Sequence, residues 1–95
     1  MLPENRVPNH PGEILRDQFQ KPLGLTQVAL AEHLGVPVLR INEIVRGKRG
    51  IRFETAWLLA QAFNTTPELW INLTTNHDLV VERPSRSVPP LRRPG

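Results

Sequence analysis

From Pro11 to His77 the sequence is cut into short runs by residues that start or stop helices. Pro11, Pro37 and Pro67 stand where a helix can begin, because the N–H that proline lacks is unpaired in a first turn anyway. Thr26 and Thr66 are side-chain N-caps, and Gly24, Gly35 and Gly47 stand where helices end. Between these marks apolar residues recur at intervals of three and four, the period of a helix buried along one side. The longest alternating stretch, Leu79–Val81, is too short for a strand. The pattern predicts an all-α fold of five helices around one small core.

Each helix has an expected inward face. The first runs from Pro11 to about Gln20 on Ile14, Leu15 and Phe19, and Lys21-Pro22-Leu23-Gly24 ends it. The second follows Thr26, with Leu25 and Leu30 stapled across the cap and Leu30, Ala31 and Leu34 inward, up to Gly35. The third starts at Pro37 or Val38 and reaches about Arg46, with Ile41, Ile44 and part of Val45 inward. The fourth, from Arg52 or Phe53 to Phe63, repeats apolar residues at 53, 56, 57, 60 and 63, which places Phe53 and Trp57 in the core. The fifth begins after Thr66 and reaches about His77, with Glu68 near the positive end of its dipole. This divides the chain into an N-terminal arm (1–9), a folded domain (10–80) and a flexible basic tail (81–95). The tail is expected to be disordered because proline and arginine dominate it.

Composition removes whole classes of chemistry. A chain of 95 residues without cysteine has no disulfide framework, no cysteine-held zinc and no thiol nucleophile. His10, His33 and His77 are scattered, and Ser85 and Ser87, the only serines, lie in the tail, so no nucleophile is paired with a base. No metal-ligand spacing and no glycine-rich phosphate loop is present. Neither an enzyme nor a cofactor is expected. The opening residues lack the marks of a secretory leader, and the apolar run from Ala56 to Ala60 is far too short to span a bilayer. A cytoplasmic protein without membrane contact is the expectation.

Charge is distributed unevenly. The formal net charge is +3 and the pI about 10.6. Residues 37–52 carry Arg40, Arg46, Lys48, Arg49 and Arg52 against Glu43 alone, a local charge of +4, whereas residues 53–78 have three acids and no lysine or arginine. Such a dense basic segment concentrates polyanions. It coincides with the second of two short helices joined at Gly35-Val36, with small Ala31 at the crossing. That is the helix-turn-helix pattern, in which the second helix enters the DNA major groove and the first crosses the phosphate backbone.

Helical geometry then sorts the residues. With Ile41 and Ile44 inward, Val38, Leu39, Arg40, Asn42, Glu43 and Arg46 turn outward. Arg40 can make paired bonds to guanine, Asn42 and Glu43 suit adenine and cytosine edges, and Val38 or Leu39 can pack on a thymine methyl. Thr26, Gln27 and Pro37 sit at helix starts, where Gln27 offers its side chain and amide to a phosphate. Arg46, Lys48 and Arg49 are expected to clamp the backbone beyond the groove.

Several stretches resemble the HigA antitoxin family, of the lambda-repressor-like class. These are His10-Pro11-Gly12-Glu13-Ile14-Leu15, Pro22-Leu23-Gly24-Leu25-Thr26-Gln27, and Ala31 through Pro37. The most specific run is Arg40 through Ile51, and Pro67-Glu68-Leu69-Trp70-Ile71-Asn72-Leu73 extends the likeness toward residue 80. The resemblance implies a dimeric repressor of its own operon that neutralises a HigB-like, mRNA-cleaving toxin, working in the bacterial cytoplasm at the nucleoid. Arg52 stands where the family commonly has a small capping residue, and the tail lies outside the shared pattern. A stand-alone regulator without a toxin fits the helix-turn-helix equally well. So far as residues alone speak, Leu69, Trp70, Ile71 and Leu73 put apolar groups on more than one side of the fifth helix, which suggests a partner. Leu69, Trp70, Leu73 and Leu79 are the expected homodimer contacts; Trp70 and Leu73 suit the core better, and Leu69 and Leu79 are the stronger dimer positions. A two-fold dimer calls for an inverted-repeat operator.

Overall fold

The computed structural model describes residues 7–92. Helix α1 occupies residues 11–23 as an α-helical start (Pro11–Ile14), a π-helical middle (Leu15–Gln20) and an α-helical end (Lys21–Leu23). It is followed by α2 (Gln27–Leu34), α3 (Val38–Val45), α4 (Phe53–Phe63) and α5 (Pro67–Val81). The described residues thus form five helices and no strand, as the sequence predicts. Residues 1–6 of the expected N-terminal arm and 93–95 of the expected tail lie outside the described residues.

Local chemistry sets most of the boundaries. The Oγ1 of Thr26 accepts from the Ala29 amide at 3.0 Å, and that of Thr66 accepts from the Leu69 amide at 3.2 Å. At the far end of α2, Gly35 adopts φ +74°, and the amides of Gly35 and Val36 return to the carbonyls of Glu32 and Ala31. This is a Schellman turn, and the left-handed conformation it requires is what glycine supplies. An identical closure at Gly47 ends α3, with the Lys48 amide on the Glu43 carbonyl at 2.8 Å.

Two boundaries differ from expectation. Helix α1 runs through Pro22 to Leu23, because its middle is wound as a π-helix in which the Lys21 amide bonds back to Arg16. The wider turn moves the carbonyls that a proline ring would strike in an α-helix. Helix α5 continues past His77 to Val81, since nothing between them breaks a helix and the first proline is Pro84. Residues 83–92 carry no helix or strand and are exposed.

The core is built from one face of each helix. Leu15, Leu30, Ile41, Ile44, Leu59 and Trp70 are fully buried. Phe19, Phe63 and Trp70 form an aromatic cluster joining α1, α4 and α5, with centroids 4.8 to 6.4 Å apart. Two expectations are corrected here. Phe53 and Trp57 are not core residues; they are 69% and 59% exposed. Helix α4 carries two overlapping apolar stripes that share Ala56, Ala60 and Phe63, and packing against α5 and α2 selects the one with Thr55 and Leu59. Trp70, expected at a dimer surface, is wholly enclosed and donates its Nε1–H to Thr65 Oγ1 at 2.9 Å. It has no surface to offer a partner. Leu73 is half-buried against the core, Leu69 is 37% exposed and Leu79 69%.

The placement of α3 depends on two close approaches. Gly12, in the first turn of α1, is buried so near the end of α3 that a Cβ there would collide with the Ile44 carbonyl. On the other side the Ile51 amide donates to Thr74 Oγ1 at 3.0 Å, and that hydroxyl donates to the Trp70 carbonyl at 3.1 Å. The turn after α3 is thereby pinned to α5.

Candidate nucleic-acid interface

Helices α2 and α3, joined through Gly35-Val36-Pro37, form the expected helix-turn-helix. Ala31, Leu34, Ile41 and Ile44 are buried between them and the rest of the core, so α3 turns its other residues outward. Val38 and Leu39 are 45% and 63% exposed. Arg46, Lys48 and Arg49 are exposed along the turn that Gly47 opens, whereas Arg40, Asn42 and Glu43 are half-buried. Pro37 caps α3 without any side-chain bond, and its carbonyl takes the Arg40 amide at 3.0 Å, so in the first turn the Val38 and Leu39 amides keep their capacity for an outside acceptor.

Polar side chains on this surface are tied to one another. Asn42 Nδ2 donates to Gln27 Oε1 at 3.2 Å, which links the first position of α2 to the middle of α3. Arg49 Nη2 lies 3.3 Å from Glu43 Oε1. Arg40 Nη1 donates to Glu54 Oε1 at 2.7 Å, across from α3 to the first turn of α4. The sequence points to Arg40, Asn42, Glu43 and Gln27 one by one but not to this pairing. Glu54 is a member of the surface that sequence reasoning missed. Its only sequence signal is an acid in the first turn of a helix, fourteen residues from Arg40. These links hold the side chains in defined positions before any ligand arrives, and a ligand must match or displace them.

The expected sites therefore divide. Thr26, Gln27, Pro37, Val38, Leu39, Arg40, Asn42, Glu43, Arg46, Lys48 and Arg49 all lie on α2, α3 and the three turns that flank them, none of them buried. The dimer set does not gather: Leu69 and Leu79 stand near opposite ends of α5, Leu73 packs inward, and Trp70 is enclosed. Arg52 precedes α4 with no side-chain cap bond, in keeping with the missing capping residue at that position. Among the described residues no group of three histidines or acids is placed to hold a metal ion, and no helix is long and apolar enough to cross a membrane.

Comparison with known proteins agrees with this geometry. A helix-turn-helix family model matches residues 15–70. The chain is 45% identical over 87 residues to the virulence-associated protein I of Dichelobacter nodosus, covering 90% of this chain and 81% of that protein. The structure of the Pseudomonas aeruginosa antitoxin HigA with the higBA promoter superposes with a TM-score of 0.77 at 40% identity, over 79% of this chain and 82% of that one. This chain belongs to the helix-turn-helix family that contains the HigA antitoxins. A second Pseudomonas aeruginosa protein, solved in complex with its 18-base-pair operator DNA, matches with a TM-score of 0.80 at 36% identity, over 88% of this chain and 97% of that one. The family is one of DNA-binding regulators and not of enzymes.

Proposed function

We propose that this protein is a HigA-type antitoxin that binds an inverted-repeat operator as a dimer, represses its own operon and neutralises a HigB-like mRNA-cleaving toxin. The observation that carries the DNA-binding part is the coupling of Gln27 to Asn42 on a surface continuous with the exposed Arg46, Lys48 and Arg49. In this reading α3 enters the major groove. Arg40, Asn42 and Glu43 read base edges, Val38 and Leu39 meet thymine methyls, and Thr26, Gln27 and Pro37 with the basic turn hold phosphates. Residues 10–80 are the DNA-binding and dimerising unit, flanked by an arm (1–9) and a basic tail (81–95). The protein works in the bacterial cytoplasm, at the nucleoid, with no cofactor.

Titration of a duplex carrying the chain's own promoter, at rising salt, tests the operator reading. Binding confined to an inverted repeat with half-sites about 34 Å apart, and falling steeply with salt, is expected. Equal affinity for random duplex would exclude it. The toxin reading is tested by co-expression with a small neighbouring reading frame. Rescue of growth and a co-purified complex are the expected results, and growth arrest in the presence of this chain would leave a repressor that does not neutralise that product.

A further inference from the structure

The core leaves an aromatic stripe uncovered. Phe53, Trp57 and Gln61 follow one another at intervals of four on the outer side of α4, and all three are exposed. An aromatic side chain buries about 150–250 Å² when covered, so at 69% and 59% exposure Phe53 and Trp57 together present on the order of 300 Å². That is within the range of the largest apolar patch on a typical monomer, about 300–600 Å², and such patches often serve as contacts. We propose that this face of α4 is where two copies of the chain meet, α4 against α4 about a two-fold axis near Trp57. The proposal rests on the reading that the protein is a dimer, and it moves the interface from the expected α5 positions to α4.

Three observations select a second copy as the occupant. The first is position. Glu54, between the two aromatics in sequence, holds Arg40 of the recognition helix at 2.7 Å, so a copy seated on this stripe brings its own recognition helix alongside. A single DNA face needs that arrangement to be read twice. The second is area. A two-fold contact covers both stripes at once, supplying an aromatic centre to an interface whose standard size is about 1,600 Å² in total, and tryptophan is among the residues that most often dominate such centres. The third is charge. Arg52 precedes α4, where the helix dipole of its own chain disfavours a cation. Trp57 lies one residue from the middle of Phe53–Phe63, so antiparallel α4 helices place Arg52 level with Ala62 of the second copy. That is the last turn, where a dipole favours a cation.

Sedimentation velocity on the full chain tests this, with wild type compared to the double variant Phe53→Ser, Trp57→Ser. Both side chains lie outside the core, so the thermal transition should be retained. The expected result is a wild-type dimer and a variant whose dimer dissociates at least ten-fold more readily. A double variant that stays dimeric overturns the α4 face and leaves the dimer reading standing. A monomeric wild type overturns both. Should the variant fail to fold, tryptophan emission of the wild type decides, because Trp70 is enclosed and Trp57 is the tryptophan that faces solvent. Emission should move to the red as dilution dissociates the dimer, and unchanged emission across that range overturns the proposal.

Discussion

Arg40 illustrates how a side chain chosen from sequence acquires its role from a neighbour. Alone it is a long cation on an outward helix face; in the fold Glu54 holds its guanidinium at 2.7 Å. An arginine held in a fixed fork loses less freedom on meeting a guanine than a solvated one does. Arg40→Ala should weaken specific operator binding by about 1–3 kcal/mol and relax the preference at one base pair. Quantitative binding to operator and scrambled duplexes checks this, and equal losses on both would remove the base-reading role. Lys48 is different, being exposed without an ion-pair partner among those found for the described residues. Lys48→Ala should weaken every duplex alike and reduce the salt slope of log K by about 1. An unaltered slope would place Lys48 off the phosphates.

Helix α1 has no part in the expected base contacts, yet it sets where α3 sits. Its first turn approaches the Ile44 carbonyl so closely that Gly12 has no room for a methyl group. Gly12→Ala should cost about 3 kcal/mol or more, the top of the overpacking range, because the obstructing atoms are backbone, and calorimetric melting measures it. The same turn is capped by His10, whose Nδ1 accepts from the Gly12 amide at 2.9 Å. The His10 ring meets His77 edge-on with centroids 4.8 Å apart. Burial, and then the nearby His77, hold the His10 pKa below its usual 6.5, against smaller opposing effects of Asp78 and Glu13. A histidine with a depressed folded pKa binds its proton more readily in the unfolded chain. Its stabilising contribution is therefore complete above 6.5 and is lost as pH falls from there through the lowered folded value. Melting temperature should decline across that window. His10→Asn, which keeps a capping oxygen and cannot titrate, should flatten the decline.

For the molecule as a whole, the folded unit and the tail should separate cleanly. Residues 83–92 are exposed and without regular structure, and they follow a helix whose last anchoring contacts involve Thr74, His77 and Asp78. A chain ending at Arg83 should melt at the same temperature as the full protein. Loss of Arg86, Arg92 and Arg93 should lower its affinity for random duplex and leave discrimination between sequences intact, because diffuse cations act through counterion release. A lowered melting temperature would show that the tail packs.

Most of the helical framework could be read from residue order, since caps, staples and left-handed turns are local interactions. Thr26, Gly35, Gly47 and Thr66 mark their boundaries because a hydroxyl or a missing Cβ acts within a few residues of itself. The helix-turn-helix and its basic face followed from the same local rules, with Ile41 and Ile44 orienting α3. Tertiary structure decided whatever depended on a choice between equivalent faces or on partners distant in sequence. Helix α4 offers two apolar stripes of equal period, and only packing against α5 and α2 sends Leu59 inward and Phe53 and Trp57 outward. For Trp70, which residue order allows in the core or at a dimer surface, Phe19 and Phe63 converging from two other helices decide for the core. The bond from Arg40 to Glu54 belongs to the same class. Periodicity states that a helix has a buried side; three-dimensional packing, which excludes water from one stripe and leaves another wet, states which side it is.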